Sequence, residues 1–207
     1  MEILNSMAVD NFAHKSKSWD MNSKRVKNAK GIADGIISGI ELKPTMKIMD
    51  FGAGTGLLSY FVAPLVDTIV AVDNSPSMLE KFKEKESEFD CKTKILELDL
   101  STTTVDERFD GIISSMTIHH LEDIKALFQK FYNMLEEDGF IAIADLDSED
   151  GTFHSDNTGV FHFGFEREAL EKIAIEVGFK NIRFELASTI NKPHCSFTVF
   201  LMLANKI

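Results

Sequence analysis

The chain has 207 residues, 44% hydrophobic and 27% charged, enough for one well-buried α/β domain and too few for two full ones. Its net charge of −11 opposes tight non-specific binding to nucleic acid and docking on an anionic membrane surface. Cys91 and Cys195 lie far apart and imply neither a disulfide framework nor a zinc site. The N-terminus lacks a basic segment followed by an apolar core, and no run approaches the ~18 apolar residues of a spanning helix, so a cytoplasmic protein is expected.

Residues Met1 to Asp20 are polar, with Phe12, Ala13, Trp19 and Asp20 standing out. A basic cluster, Lys15, Lys17, Lys24, Arg25, Lys27 and Lys30, reads as a solvated helix face. Ser23 opens a helix in which Val26, Ala29, Ala33, Ile36, Ile37 and Ile40 recur at helical spacing. Gly31, Gly35 and Gly39 weaken it locally, and their spacing of four suits a close contact. Pro44 stops the helix.

Ile48, Met49 and Phe51 form a short buried strand closed by Asp50. Gly52, Ala53, Gly54, Thr55 and Gly56 make a tight turn, and Leu57 to Val62 begins a helix. Strand, glycine turn and helix open a doubly wound, nucleotide-binding α/β domain. A phosphate-cradling loop would continue Gly-Lys-Ser/Thr, but Leu57 follows Gly56. A dinucleotide fingerprint would put its third glycine at position 57. Thr68 to Val72 is the second strand, and it ends at Asp73, about 20 residues after Gly52, where an acid accepts hydrogen bonds from ribose hydroxyls. Ser75 caps the next helix and Pro76 takes its first position. Lys94 to Leu98 is a third strand, ending at Asp99.

Asp50-Phe-Gly-Ala-Gly-Thr-Gly56, followed by Asp73 and Asp99, resembles the first motif and strand-end acids of the class I S-adenosylmethionine-dependent methyltransferases. The closest resemblance is to the branch of ubiquinone and menaquinone C-methyltransferases and many small-molecule enzymes. It implies S-adenosyl-L-methionine as cofactor and S-adenosyl-L-homocysteine as product. It assigns Asp50, Gly52, Ala53, Gly54, Gly56, Asp73 and Asn74 to the methionine and ribose parts. Asp99 and Leu100 would hold the adenine, and Met78 would pack on it, although Met at helical spacing also suits a core. Trp19 belongs to an aromatic-plus-Asp segment that folds over the cofactor in similar enzymes; packing on the domain wall is the alternative.

Ser101 to Thr104 is a polar loop, and Phe109 to Ile113 is the fourth strand. The family places the following segment, with Ser115, Met116 and the His119-His120 pair, beside the methyl group and the acceptor. Leu127, Phe128, Phe131, Met134 and Leu135 mark an amphipathic helix with Asp138-Gly139 as its stop. Phe140 to Ala144 is strand five, ending at Asp145. Asp147 to Gly164 has no period and reads as a pocket lid. A helix from Phe165 to Val177 and strands Phe179–Ala187 and Phe197–Leu203 complete the chain.

The expected fold is a doubly wound, Rossmann-like, seven-stranded sheet, mostly parallel with an antiparallel last strand and helices on both faces. It forms one domain over 1–207, with a lid and helix at 1–44 and a substrate loop at 147–164. The expected partner is a small-molecule methyl acceptor, with no nucleic acid and no membrane, in a monomer or homodimer. Methylation of a macromolecule and a non-catalytic cofactor-binding module are the alternatives. His119, His120 and His154 are candidate bases; for His119 and His120 the alternative is a hydrogen bond to the backbone below the pocket. His154 and His162 with Asp145, Asp147 or Glu149 would be a metal site, but the ligand spacing is not tight and no metal is expected.

Overall fold

The computed structural model describes residues 18–193 and 195–207; Phe12, Ala13, Lys15 and Lys17 lie outside the described residues. Seven strands form one sheet: β1 (Lys47–Phe51), β2 (Thr68–Asp73), β3 (Lys92–Glu97), β4 (Phe109–Ser115), β5 (Leu135–Leu146), β6 (Lys180–Lys192) and β7 (Cys195–Asn205). Their order is β3-β2-β1-β4-β5-β7-β6. The first five pair in parallel, and β7 runs antiparallel to both β5 and β6. The helices are α1 (Ser23–Gly39), α2 (Leu57–Val62), α3 (Pro76–Glu84), α4 (Ile124–Met134) and α5 (Arg167–Val177). Among the described residues, no helix is long and apolar enough to cross a membrane.

Successive strand side chains point to opposite faces, so each central strand feeds two cores. Met49, Val70, Ile112, Ile141 and Met202 pack with Phe128, Phe131 and Leu170 of α4 and α5. Ile48, Ile69, Ile113, Ala142 and Leu201 pack with Ile32, Ile36 and Leu58 of α1 and α2. The glycines of α1 serve a helix–sheet contact: a Cβ at Gly35 would stand 2.8 Å from a Leu201 methyl, and one at Gly39 would stand 2.5 Å from Leu203.

Several boundaries differ from the sequence reading. The α4 helix ends at Met134, and Asp138-Gly139 sits inside β5 as an irregularity, with Asp138 at φ +62°. The strand resumes its pairing at Phe140 opposite Gly111, whose missing side chain leaves room for the Phe140 ring. The turn residues were real, but they bulge a strand rather than stop a helix. The last two strands are also longer than their apolar runs, because β6 and β7 pair on through the polar stretch to Lys192 and Cys195. The third strand starts at Lys92 and ends at Glu97, one residue earlier than its apolar run.

Candidate functional site

All the strand-end residues named above lie along the carboxyl edge of the parallel strands, where α/β sheets take ligands. The glycine turn is fixed from below by backbone bonds. Gly52 N and Ala53 N donate to Val72 O at 2.8 and 3.2 Å. Gly52, Gly54 and Gly56 have φ of +70°, +55° and +85°, a region costly for residues with a Cβ. Their surroundings differ. A Cβ at Gly52 would stand 2.2 Å from Thr117, and one at Gly56 would stand 2.7 Å from the Phe82 ring. At Gly54 nothing lies within 4 Å. Gly52 and Gly56 are needed for packing; Gly54 presents bare backbone to open space, which fits a cofactor lying against the turn.

Asp73 ties this turn to β2. One carboxylate oxygen accepts from Gly54 N at 2.8 Å and the other from Ser75 N at 2.8 Å. The α3 cap is as expected, with Ser75 Oγ accepting from Met78 N and Pro76 at the first position. Met78 itself is 3% exposed and packs inward. Asn74 is exposed beside Asp73. Asp50 lies beneath the turn, 1% exposed, accepting from Ser59 Oγ at 2.6 Å. Burial, with Asp73 nearby, pushes its carboxyl up to about 7. Its bonded oxygen faces the start of α2, so Asp50 supports the turn from inside the fold. Asp99 is exposed and accepts from Ser101 N at 2.8 Å, while Leu100 is buried.

The Trp19-Asp20 segment meets the same turn. Thr55 Oγ1 donates to Asp20 Oδ1 at 2.5 Å, and Lys85 pairs with the other oxygen. The guanidinium carbon of Arg25 sits 3.7 Å from the centre of the Trp19 ring. From the sequence, the Trp19-Asp20 segment is expected over the cofactor or on the domain wall, and neither Asp20 nor Thr55 is given a partner. A polar residue between two motif glycines was the available signal.

The second group lies after β4. Ser115 and Met116 are half-buried, and Met116 has φ +57° with its N–H on Ala144 O. Thr117 Oγ1 donates to Ser115 O at 3.1 Å and packs under Gly52. His119, two residues on, is 1% exposed. Its Nδ1 lies 2.7 Å from Asp145 Oδ1, and its backbone N–H reaches Asp145 Oδ2 at 3.3 Å. The rings of His119, His120 and His154 gather, with centroids 4.2, 5.0 and 6.0 Å apart. His120 Nδ1 lies 2.7 Å from Gly159 O. Burial, reinforced by the neighbouring histidines and Lys192, pushes His154 down to about 4, so it is neutral near pH 7. His162 stands apart, against Phe165, with Nε2 3.3 Å from Glu122 O. Among the described residues, no three His, Cys, Asp or Glu side chains are arranged to hold a metal.

The 147–164 loop is built onto this group. Its ends are zipped by Ser148 N to Phe165 O, Glu149 N to Phe163 O and Phe165 N to Leu146 O. Arg167 grips both oxygens of Asp147 at 2.6 and 2.9 Å. Phe161 N and His162 N both donate to His119 O. A segment without periodicity is thus ordered by backbone bonds to its neighbours.

Comparisons with known proteins agree with this architecture. Residues 48–139 match the family model of a methyltransferase domain. An uncharacterized methyltransferase of Schizosaccharomyces pombe is 29% identical over 174 residues, covering 76% of this chain and 60% of that protein. The malonyl-[acyl-carrier protein] O-methyltransferase of Acetivibrio thermocellus is 27% identical, covering 81% of this chain and 56% of its own length. This chain therefore spans less than two thirds of either relative. The Haemonchus contortus phosphoethanolamine N-methyltransferase 2, solved with phosphomonomethylethanolamine and S-adenosylhomocysteine, superposes with a TM-score of 0.73. It is 17% identical, covering 98% of this chain and 59% of that one, a likeness of fold.

Proposed function

We propose that this chain, a class I S-adenosylmethionine-dependent methyltransferase, moves the cofactor's methyl group to a small-molecule acceptor. The observation that carries the reading is the bare face of Gly54, fixed in place by Asp73 and open where its neighbours are packed. In this reading the cofactor's methionine and ribose parts lie against Gly52, Ala53, Gly54 and Gly56, with Asp73 and Asn74 accepting from the ribose. Asp99, Leu100, Ser115, Met116 and Trp19 take the adenine and the outer wall, while Met78 packs into the core beneath α3. Asp50 acts from beneath through the turn. When bound, the cofactor supplies an electrophilic sulfonium methyl; the protein's own task is to align the acceptor with it and to keep water out.

The acceptor is a small molecule in this reading because the loop 147–164 is bonded down onto the His119 segment and covers it. Two enzymes that this chain resembles carry phosphoethanolamine and malonyl-acyl carrier names, which supports an acceptor of small size. Isothermal titration tests the cofactor. S-adenosylhomocysteine is expected to saturate one site, and NAD to give no heat. Tight NAD binding without a response to S-adenosylhomocysteine would overturn the reading.

A further inference from the structure

Asp145 lies outside the residues proposed above to hold the cofactor, and its side chain has no exposed surface. It accepts three N–H groups: His119 N, Leu146 N at 2.8 Å and His119 Nδ1. A carboxylate whose oxygens already accept from two backbone N–H groups also acts as acceptor toward the ring, which places the His119 proton on Nδ1. That leaves Nε2 as the lone-pair nitrogen. Nε2 lies on the side of the ring away from Asp145, is buried, and has no hydrogen-bond partner. His154 Nε2, on the loop above, is buried and unpartnered as well. Two unsatisfied buried nitrogens on neighbouring rings 5.0 Å apart are costly in a folded chain. The cost is relieved by a ligand that brings a polar hydrogen.

We propose that His119 is the general base of the methyl transfer, that Asp145 is its positioning residue, and that the acceptor's nucleophile is a hydroxyl or thiol that arrives protonated. The inference rests on the methyltransferase reading above. The dyad stands beside the cofactor turn, since Thr117, two residues before His119, packs under Gly52. The charged groups facing His119 are Asp145 from β5, His120 from its own segment and His154 from the loop; Lys192 of β6 faces His154. His154 is neutral near pH 7 and does not oppose proton uptake by its neighbour. In the step, the acceptor's O–H or S–H bond breaks and its proton passes to His119 Nε2. The freed electron pair forms the bond to the methyl carbon. The carbon–sulfur bond of the cofactor breaks with its pair left on sulfur, so a sulfonium becomes a thioether and charge is conserved. A carboxylate or a neutral amine already carries the attacking pair and has no use for this base.

The test uses the full chain, with His119→Gln, Asp145→Asn and Asp145→Glu beside the parent. S-adenosylhomocysteine titration reports folding and the cofactor site. Nitrogen-15 histidine NMR reports the His119 tautomer. Methyl transfer is read with three probe acceptors: catechol, 2-mercaptoethanol and benzoate. The expected result is a neutral His119 ring protonated on Nδ1, transfer to catechol or 2-mercaptoethanol, and none to benzoate. His119→Gln and Asp145→Asn should each lose roughly 10²–10⁴-fold in kcat with KM little changed, the loss typical of removing a general base. Asp145→Glu should recover part of it. Transfer to benzoate, variants at the parent rate, His119 protonated on Nε2, or no transfer to any probe by protein that binds S-adenosylhomocysteine would each overturn the proposal. A parent chain that fails to bind S-adenosylhomocysteine would instead overturn the reading beneath it.

Discussion

The glycine turn and the histidine layer lie side by side at the carboxyl ends of the strands, yet they are held in different ways. The turn is a contiguous stretch, fixed by backbone bonds to Val72 and by one carboxylate, Asp73. The histidine layer is assembled from residues far apart in sequence, His119, Asp145 and His154, and it carries unsatisfied buried nitrogens. The turn's shape therefore depends mainly on local sequence, whereas the layer depends on the whole sheet and on one loop. Changes in the turn should be read as packing or as ligand approach, position by position. Changes in the layer should be read as chemistry.

The sharpest separation lies within the turn itself. Gly52→Ala combines an unfavourable φ with a clash against Thr117. A loss of about 3 kcal/mol or more is expected, with a falling Tm and failed cofactor binding together. Gly54→Ala meets no neighbour and pays for φ alone, about 1–2 kcal/mol. Its Tm should fall less, while S-adenosylhomocysteine binding should drop more than tenfold, because the new methyl enters the space proposed for the cofactor. Thermal melts and titrations on both variants decide it. Equal binding by Gly54→Ala and the parent would mean that nothing approaches this face.

Asp73→Ala comes next in size. It removes the acceptor for Gly54 N and the proposed acceptor for the ribose together. Losing hydrogen bonds to a charged acceptor costs roughly 1.5–3 kcal/mol, so affinity for S-adenosylhomocysteine should fall about tenfold or more in a folded variant. Unchanged affinity would reduce Asp73 to a scaffold for the turn.

The same contrast explains what could be read from the sequence. The strand–turn–helix unit and the Ser75 cap were legible, because each is written in adjacent residues with strict backbone needs. Asp138-Gly139 misled, because a turn signal reads the same whether it ends a helix or bulges a strand. Met78 fitted two readings, and its burial belongs to the packing of α3. The His119–Asp145 pair could not be derived, since its partners are 26 residues apart and meet only when β5 lies beside β4. The hint was there: Asp145 ends a strand as Asp50 and Asp73 do. The docking of 147–164 was invisible for the same reason, resting on backbone bonds that carry no side-chain pattern.

Asp50 offers a smaller test, in the pH dependence of stability. Its carboxyl is raised from an ordinary 3.8 to about 7, chiefly by burial. Between those values the native state holds a proton that the unfolded chain has released. Stability from this group is therefore present below about 4 and is lost as pH rises through 7. Asn at this position cannot titrate. The Tm of Asp50→Asn relative to the parent should rise steadily from pH 4 to pH 7.5, by several degrees at about 2–4 °C for each kcal/mol. His154 shifts the other way, with its contribution lost as pH falls from 6.5 towards 4, but it is common to both proteins and cancels in the difference. A difference that does not change with pH would mean that Asp50 is ionised in the fold.

The smallest effect concerns motion. The loop 147–164 is bonded to the His119 segment, and the Trp19-Asp20 segment is bonded to Thr55 of the turn. One borders the histidine layer and the other borders the glycine turn. If an acceptor is to reach His119 Nε2, the loop above it must open, because His119 is almost fully covered. Its bonds to His119 O are few and local, so opening costs far less than unfolding. Hydrogen exchange with and without S-adenosylhomocysteine reads both segments at once. Protection should rise in each, by a few-fold to tenfold, and rise more than in α5, which packs on the far side of the sheet from the turn's helix. A rise at Trp19-Asp20 alone would separate the two regions fully: the cofactor would order its own wall and leave the loop to respond to the acceptor. Equal exchange in both states, in both segments, would remove the lid and favour an open face serving a larger acceptor.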